Sequence, residues 1–237
     1  MASLMRTYAV EHFDAMVKDL RHGSPRRRIV MAGTLGFCGV QKVVEPLGEA
    51  LRDQYYEVVL HALASFYHLA KTRDANGNKV EIVIDPRPII AFLSHPRAEV
   101  RGNAALALTR VLGPDSPPEF LVSLIAASED PDSATRVHAI GAIGAMKRVE
   151  GYPHLVAALD DTVQLVRVRA AINLGRLGNR NACTALIAVL ERDKETDDVR
   201  KAASRALLAL LGGGSSLEAK DWRERAAAAG VAGFTKQ

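Results

Sequence analysis

Val166-Arg167-Val168-Arg169-Ala170-Ala171-Ile172-Asn173-Leu174-Gly175 is the stretch that decides the fold. Its skeleton, Val-Arg-x-x-Ala-Ala-x-x-Leu, returns at Val100-Arg101-x-x-Ala104-Ala105-x-x-Leu108 and at Val199-Arg200-x-x-Ala203-Ser204-x-x-Leu207. Another copy runs Thr135-Arg136-x-x-Ala139-Ile140-x-x-Ile143-Gly144. Weaker copies start at Arg28 (then Met31, Ala32, Leu35, Gly36) and at Val59 (then Ala62, Leu63, Phe66). The anchors 28, 59, 101, 136, 167 and 200 are spaced by 31, 42, 35, 31 and 33 residues, the length of a two-helix repeat. Apolar residues at offsets +3, +4 and +7 join the anchor's aliphatic stem in one helical stripe. Each such segment is a B helix.

A second apolar segment, an A helix, precedes each of the later anchors. These run Val43 to Leu51, Pro88 to Leu93, Pro118 to Ile125, Pro153 to Leu159 and Ala182 to Leu190. Pro88, Pro118 and Pro153 stand at the start of their segments, where a missing N–H costs nothing. Asp53, Asp130 and Asp161 each lie six residues before an anchor, in the A–B turn, where a carboxylate can cap the B helix. Composition agrees with helices. The chain of 237 residues is 48% hydrophobic but only 5% aromatic, so its interior is built from Ala, Leu, Val and Ile.

The pattern resembles the HEAT-repeat family, and within it the short bacterial repeats of phycobilin lyases. The resemblance covers roughly residues 12 to 211, and Asp161…Val166-Arg167…Ala170-Ala171…Leu174-Gly175…Leu177-Gly178 carries it most closely. Repeats one and two depart from it, the second having Val59 where the family has Arg. The implied fold is all-α, an α-solenoid of about six helical hairpins. The resemblance also implies that Arg28, Arg101, Arg136, Arg167 and Arg200 pair with turn carboxylates in a ladder along the stack. It further implies that the B helices line a concave surface.

Two segments interrupt the repeat. The 42-residue spacing exposes an insertion, 71–86, with a turn signal at Asn76-Gly77 and strand-like propensity from Val80 to Ile84. The expectation is a protruding loop or small hairpin. After the solenoid (1–211), residues 212–237 read as a Gly/Ser linker, a helix from Leu217 to Ala229 carrying Trp222, and a frayed tail. Such a helix caps the open end of a stack, because a terminal repeat needs a cover; the other reading of it is a docking helix.

The chemistry of catalysis is not legible. The sequence holds neither common phosphate loop, no His-Glu-x-x-His segment and no zinc-spaced Cys/His cluster. Asp74-Ala75-Asn76-Gly77-Asn78 resembles the start of a calcium loop, but its glycine falls at the fourth position rather than the sixth. Cys38 and Cys183 read as reduced core thiols. His61, His68 and His138 share a column, yet alternate helices of a stack stand about 20 Å apart, too far for one metal. No cofactor or metal is implied. Met1 to Val10 lacks the order of a signal peptide and no apolar run is long enough to span a membrane, so a cytoplasmic chain without membrane insertion is expected.

Charge placement is more informative than the formal net charge of +4. The chain has 27 Asp and Glu, yet none falls in the six twelve-residue windows that begin at the anchors; eleven Lys or Arg do. Offsets +2, +6 and +9 are read as one open face. They supply His61, Ser65 and His68; Asn103 and Arg110; His138; and Arg169, Asn173 and Arg176, with Ala107, Ala142 and Ala145 as gaps. A polar, mildly basic strip of this kind favours an acidic or helical protein partner. The expected function is a non-catalytic interaction scaffold or adaptor. The alternatives are a nucleic-acid-binding HEAT-like protein and, by resemblance, a bilin lyase or isomerase or its subunit.

Overall fold

The computed structural model describes residues 11–73, 77–214 and 216–234. The N-terminal stretch read for a signal peptide and most of the calcium-like loop (Asp74, Ala75, Asn76) lie outside the described residues. Helices alternate as the repeat demands. The A helices are α1 (Phe13–His22), α3 (Val44–Ala50), α5 (Arg87–Ile90), α7 (Phe120–Ser128), α9 (Tyr152–Ala157) and α11 (Ala182–Leu190). The B helices are α2 (Pro25–Leu35), α4 (Tyr56–Leu69), α6 (Ala98–Val111), α8 (Ser133–Met146), α10 (Gln164–Leu177) and α12 (Asp197–Leu211). The last helix is α13 (Ala219–Ala228). A 3-10 turn extends each of α3 and α5, and two flank α9, so these A helices are short where Pro and Gly shape their ends.

The chain forms two compact units, 1–113 and 114–237. In the first, α1 packs on α2, α3 on α4 and α5 on α6, while the B helices pack side by side, α2 on α4 and α4 on α6. Leu35, Leu47, Leu63, Leu69, Ile89 and Leu108 are fully buried between the layers. Each such side chain contributes on the order of 1.5–3 kcal/mol by leaving water. In the second unit α7 pairs with α8, α9 with α10 and α11 with α12, and α8, α10 and α12 lie in a row. Leu124, Ile140, Ile143, Met146 and Leu155 fill its interior.

Small residues set the spacing of the B helices. A β-carbon on Gly36 would come within 2.5–2.7 Å of Ser65, one on Gly144 within 2.3–2.6 Å of Asn173, and one on Gly175 within 2.8–2.9 Å of Ala206. Each glycine is at offset +8 of one B helix and meets offset +6 of the next. Offset +11, where the chain leaves the B helix, takes positive φ in three repeats: Gly39 (64°), Lys147 (50°) and Gly178 (75°). Two are glycine, which adopts this backbone freely; Lys147 is not.

The 71–86 insertion departs from the expected protrusion. Its start is a hairpin with one antiparallel bridge, Arg73 to Lys79, and Val80 N–H donates to Thr72 O at 2.9 Å. Beyond it, residues 80–85 run extended without a strand partner among the described residues. The Gln41 carboxamide replaces one: it donates to Val83 O (2.9 Å) and accepts from Val83 N–H (2.8 Å). Val80, Ile82 and Ile84 are half-buried while Glu81 and Val83 are exposed, so the alternation lays the segment flat on its own unit.

At the other end, α13 packs on α11 and α12. Trp222 is fully buried there, and its Nε1–H donates to Ser216 O at 2.9 Å. It is therefore not available to dock a partner. The segment after α13 turns back rather than fraying at once: Val231 is buried and its N–H reaches Ala226 O. Both cysteines are buried, and burial pushes the Cys183 thiol above its ordinary pKa.

Candidate binding surface

The repeat arginines take a common pose at the A–B turns. Arg136 Nη1 donates to Asp130 O and Pro131 O of its own turn, and Arg167 Nη1 to Asp161 O and Thr162 O. Arg101 Nη1 reaches His95 O and Pro96 O in the same way, and Arg28 Nη1 reaches Gly23 O. The rest of the guanidinium turns to the following repeat. Arg28 holds Asp53 at 2.6 and 3.2 Å, and Arg136 holds Asp161 at 2.8 and 3.0 Å. Arg167 holds not an aspartate but Glu195, at 2.8–3.3 Å. Glu195 lies one residue nearer its anchor than the aspartates do, so a search at the aspartate spacing misses it. Arg200 differs again, donating to Leu190 O and to Leu217 O ahead of α13.

Asp53, Asp130 and Asp161 do not cap the B helices. Their Oδ1 atoms accept from the N–H two residues on, of Tyr55, Asp132 and Val163, which closes a tight turn before the helix begins. The cap of α8 is Asp132, whose Oδ2 accepts from Thr135 N–H at 2.8 Å. Burial alone would raise the pKa of Asp53, Asp161 and Glu195. Hydrogen bonds and charge from Arg28, Arg136 and Arg167, with backbone N–H donors, outweigh it and hold all three below the ordinary carboxylate range.

The open stripe of the B helices in repeats two to five keeps offsets +2 and +9 of the expected face but not +6. Ser65 and Asn173 are buried, as are Ala107, Ala142 and Ala206 at the same offset. Ser65 Oγ donates to Ala32 O (2.5 Å), and Asn173 Nδ2 to Arg169 O (2.9 Å) and Ile140 O (3.3 Å). Ser65 and Asn173 are therefore packing residues, not partner contacts. A B helix has a neighbouring B helix beside it, and +6 is where the two touch. The small residues at +6 and +8 were the available signal. Offsets −2 and +5 are open beside +2 and +9, the buried Ala202 at +2 of α12 excepted, and the four are aligned on one helical face.

In the first unit this stripe carries His61, exposed on α4, and His68, half-buried and stacked 4.5 Å from the half-exposed Phe37 ring. Burial and then Lys71 lower the His68 pKa. Asn103 on α6 spends its Nδ2 on Glu99 O, and Arg110 is exposed over the Tyr67 ring. In the second unit His138 is half-buried on α8; burial and then Arg169 keep its imidazole below the ordinary value. Arg169 is half-buried and Arg176 exposed on α10.

Between α10 and α12 the second unit opens into a groove of about 530 Å³. Leu165, Val168 and Ile172 line one wall, and Lys201, Ala202 and Arg205 the other. Gln164 Nε2 bridges to Asp198 Oδ2 (3.1 Å) at one end. Leu165 is 54% exposed, unusual for a leucine in the middle of a helical stack. Among the described residues no carboxylate pairs with Arg169, Arg176 or Arg205, whereas Lys201 sits 4.0 Å from Asp197. Leu165, Val168 and Ile172 were missed in the sequence because apolar residues on a repeat helix are read as core, and Lys201 and Arg205 because offsets +1 and +5 lie outside the +2, +6 and +9 face. Among the described residues no group of three or more His, Cys, Asp or Glu is placed to hold a metal. No helix among them is long and apolar enough to cross a membrane.

Stacked helical hairpins with an arginine–carboxylate turn define an α-helical repeat protein. Residues 86–167 match the family of HEAT repeats, and residues 166–192 match the PBS lyase HEAT-like repeat. Over residues 86–192 the chain therefore carries HEAT-type repeats, the segment 166–192 being of the phycobilin-lyase type. Its fold class is an all-α solenoid, as similar solved structures show. An engineered protein is 20% identical with a TM-score of 0.61 over 85% of this chain and 97% of its own. The complex of CpcE and CpcF of phycocyanin lyase from Nostoc sp. is 19% identical, with a TM-score of 0.58 over 82% and 75%. Computationally designed armadillo repeat proteins for modular peptide recognition are 20% identical, with a TM-score of 0.57 over 82% and 98%. No curated protein matches in sequence.

Proposed function

We propose that this protein is a non-catalytic scaffold that binds an extended or helical segment of another protein, one with acidic residues around an aliphatic side chain. The observation that carries this reading is the α10–α12 groove: an apolar wall including a half-exposed leucine, beside Arg205 and Lys201. Apolar side chains left open on a face rimmed by charge mark an interaction site. The acids of the B helices are confined to first turns ahead of the anchors (Glu57, Glu99, Asp197 and Asp198), and the acid-free remainder gives the complementary partner a negative sign and steers its approach. Peptide recognition is the stated purpose of the designed armadillo proteins with a similar fold, which supports the class of partner.

The test is fluorescence polarisation with a labelled peptide panel in which one Leu or Phe is flanked by acidic, neutral or basic residues. Acidic peptides should bind best, and moderate salt should weaken them. Leu165→Asp and Arg205→Glu should each weaken that binding at least tenfold. A preference for basic peptides, or equal binding by the Leu165→Asp variant, would discard the proposal. Single-stranded oligonucleotides in the same assay distinguish the nucleic-acid alternative, since phosphate contacts make affinity fall steeply with salt.

A further inference from the structure

A separate feature of the first unit is a pocket of about 350 Å³ lined by Ala70, Lys71, Arg73, Lys79, Thr109 and Arg110. Four of its six lining residues are cations, and no Asp or Glu lines it among the described residues. It adjoins a smaller cavity of about 70 Å³ that shares Ala70, Lys79 and Arg110 with it and is walled by Val80, Ile82, Ile84 and Val111. Three chain segments converge here: the end of α4, the last turn of α6 and the inserted hairpin.

Helix ends explain part of this. Lys71 follows α4 and Arg110 lies in the last turn of α6, and cations there offset the helix dipole. That account does not reach Lys79 or Arg73, which the insertion supplies. Arg73 Nη1 is partly committed to Gly77 O at 2.8 Å, so the site rests on Lys71, Lys79 and Arg110. Tyr67 sits under two of them. Lys71 Nζ is 3.3 Å from its hydroxyl, and the Lys71 and Arg110 charges lie 4.8 and 5.8 Å from the ring centroid. Burial would raise the phenol pKa, but hydrogen bonds and charge from Lys71 and Arg110 lower it on balance. The charged side chains that line the pocket are thus all of one sign among the described residues.

We infer that this pocket binds a phosphoryl group, as carried by a phosphomonoester. A phosphate dianion presents several strong acceptors to a planar guanidinium and two ammonium groups, the Arg110, Lys71 and Lys79 side chains on the wall. The insertion that lengthens this repeat thus has a use: it supplies Arg73 and Lys79 to a site otherwise lined by the ends of α4 and α6. The same chemistry can come from a free phosphorylated metabolite or from a phosphorylated side chain, and the experiment separates them.

Isothermal titration calorimetry of the full chain is run with inorganic phosphate, pyrophosphate, a phosphoserine peptide and its unphosphorylated form. Saturable binding of the phosphorylated probes is expected, and Lys79→Ala with Arg110→Ala should weaken it at least tenfold while circular dichroism stays unchanged. A phosphoserine peptide binding tenfold tighter than pyrophosphate assigns the pocket to a modified protein; the reverse assigns it to a small metabolite. Absence of saturable binding by the folded wild type, or wild-type affinity in the double variant, overturns the inference. Leu165→Asp, which tests the groove, should leave phosphate binding unchanged, so the two readings fail separately.

Discussion

Asn173 of α10 occupies the space that a side chain on Gly144 of α8 would need: a β-carbon there would lie 2.3 Å from the Asn173 carboxamide carbon and oxygen. The two B helices approach this closely because residue 144 has no side chain. Asn173 Oδ1 is buried with no hydrogen-bond partner, so the contact tolerates one unsatisfied acceptor to keep the spacing. Gly144→Ala should therefore destabilise the protein by about 1–3 kcal/mol through overpacking. Asn173→Ala in the same chain should recover most of that loss. A double-mutant cycle from urea denaturation measures it, and simple additivity of the two effects would show that the helices separate freely.

The Arg136–Asp161 pair is largely buried, with side chains 14% and 13% exposed, and Arg87–Asp85 is open, at 77% and 47%. Removing one partner of a buried pair leaves the other charge uncompensated. Arg136→Ala should cost about 3 kcal/mol or more, whereas Arg87→Ala should leave stability close to that of the wild type. Equal denaturation midpoints for the two variants would refute this ranking.

Acid should act through the same turns. Asp53, Asp161 and Glu195 are held below the ordinary carboxylate value in the folded protein. Unfolded carboxylates titrate near about 4. The stability these groups contribute is thus complete above that pH and is lost as pH falls through their depressed folded values. Thermal melts between pH 7 and pH 2.5 should show a falling Tm below about pH 4. Asp161→Asn should flatten that fall, and an unaltered pH profile in this variant would exclude Asp161 from it.

Lys147 stands in left-handed backbone at φ 50°, where the equivalent positions Gly39 and Gly178 are glycine. Its side chain is exposed. Lys147→Gly should stabilise the protein by about 1 kcal/mol, because a left-handed conformation costs an L-residue roughly 1–2 kcal/mol. A lower denaturation midpoint in the glycine variant would show that Lys147 makes a contact that outweighs its strain.

Trp222 is fully buried where α13 covers α11 and α12. Trp222→Ala should cost about 3–5 kcal/mol. Its fluorescence in the wild type should be blue-shifted and shielded from iodide. Ready quenching of the folded protein would place the ring at the surface instead.

The repeat anchors, the alternation of A and B helices and the lack of acids in the twelve residues from each anchor onward are legible in the sequence alone. Each is written by local rules: a 3.6-residue apolar stripe repeated every thirty-odd residues, and side-chain types at fixed offsets. The arginine offset is equally local, since each guanidinium reaches the carbonyls of its own turn. What the tertiary structure decided is which offsets remain open. Ser65 and Asn173 look like surface polars on a helical wheel, yet a neighbouring helix covers them. Leu165 and Ile172 look like core, yet no neighbour covers them fully. A helical period states which residues share a face, but not how many neighbours that face has. The same limit hid Glu195, whose longer side chain reaches Arg167 from a shifted position, and hid the pocket formed when the inserted hairpin brings Lys79 to Lys71 and Arg110.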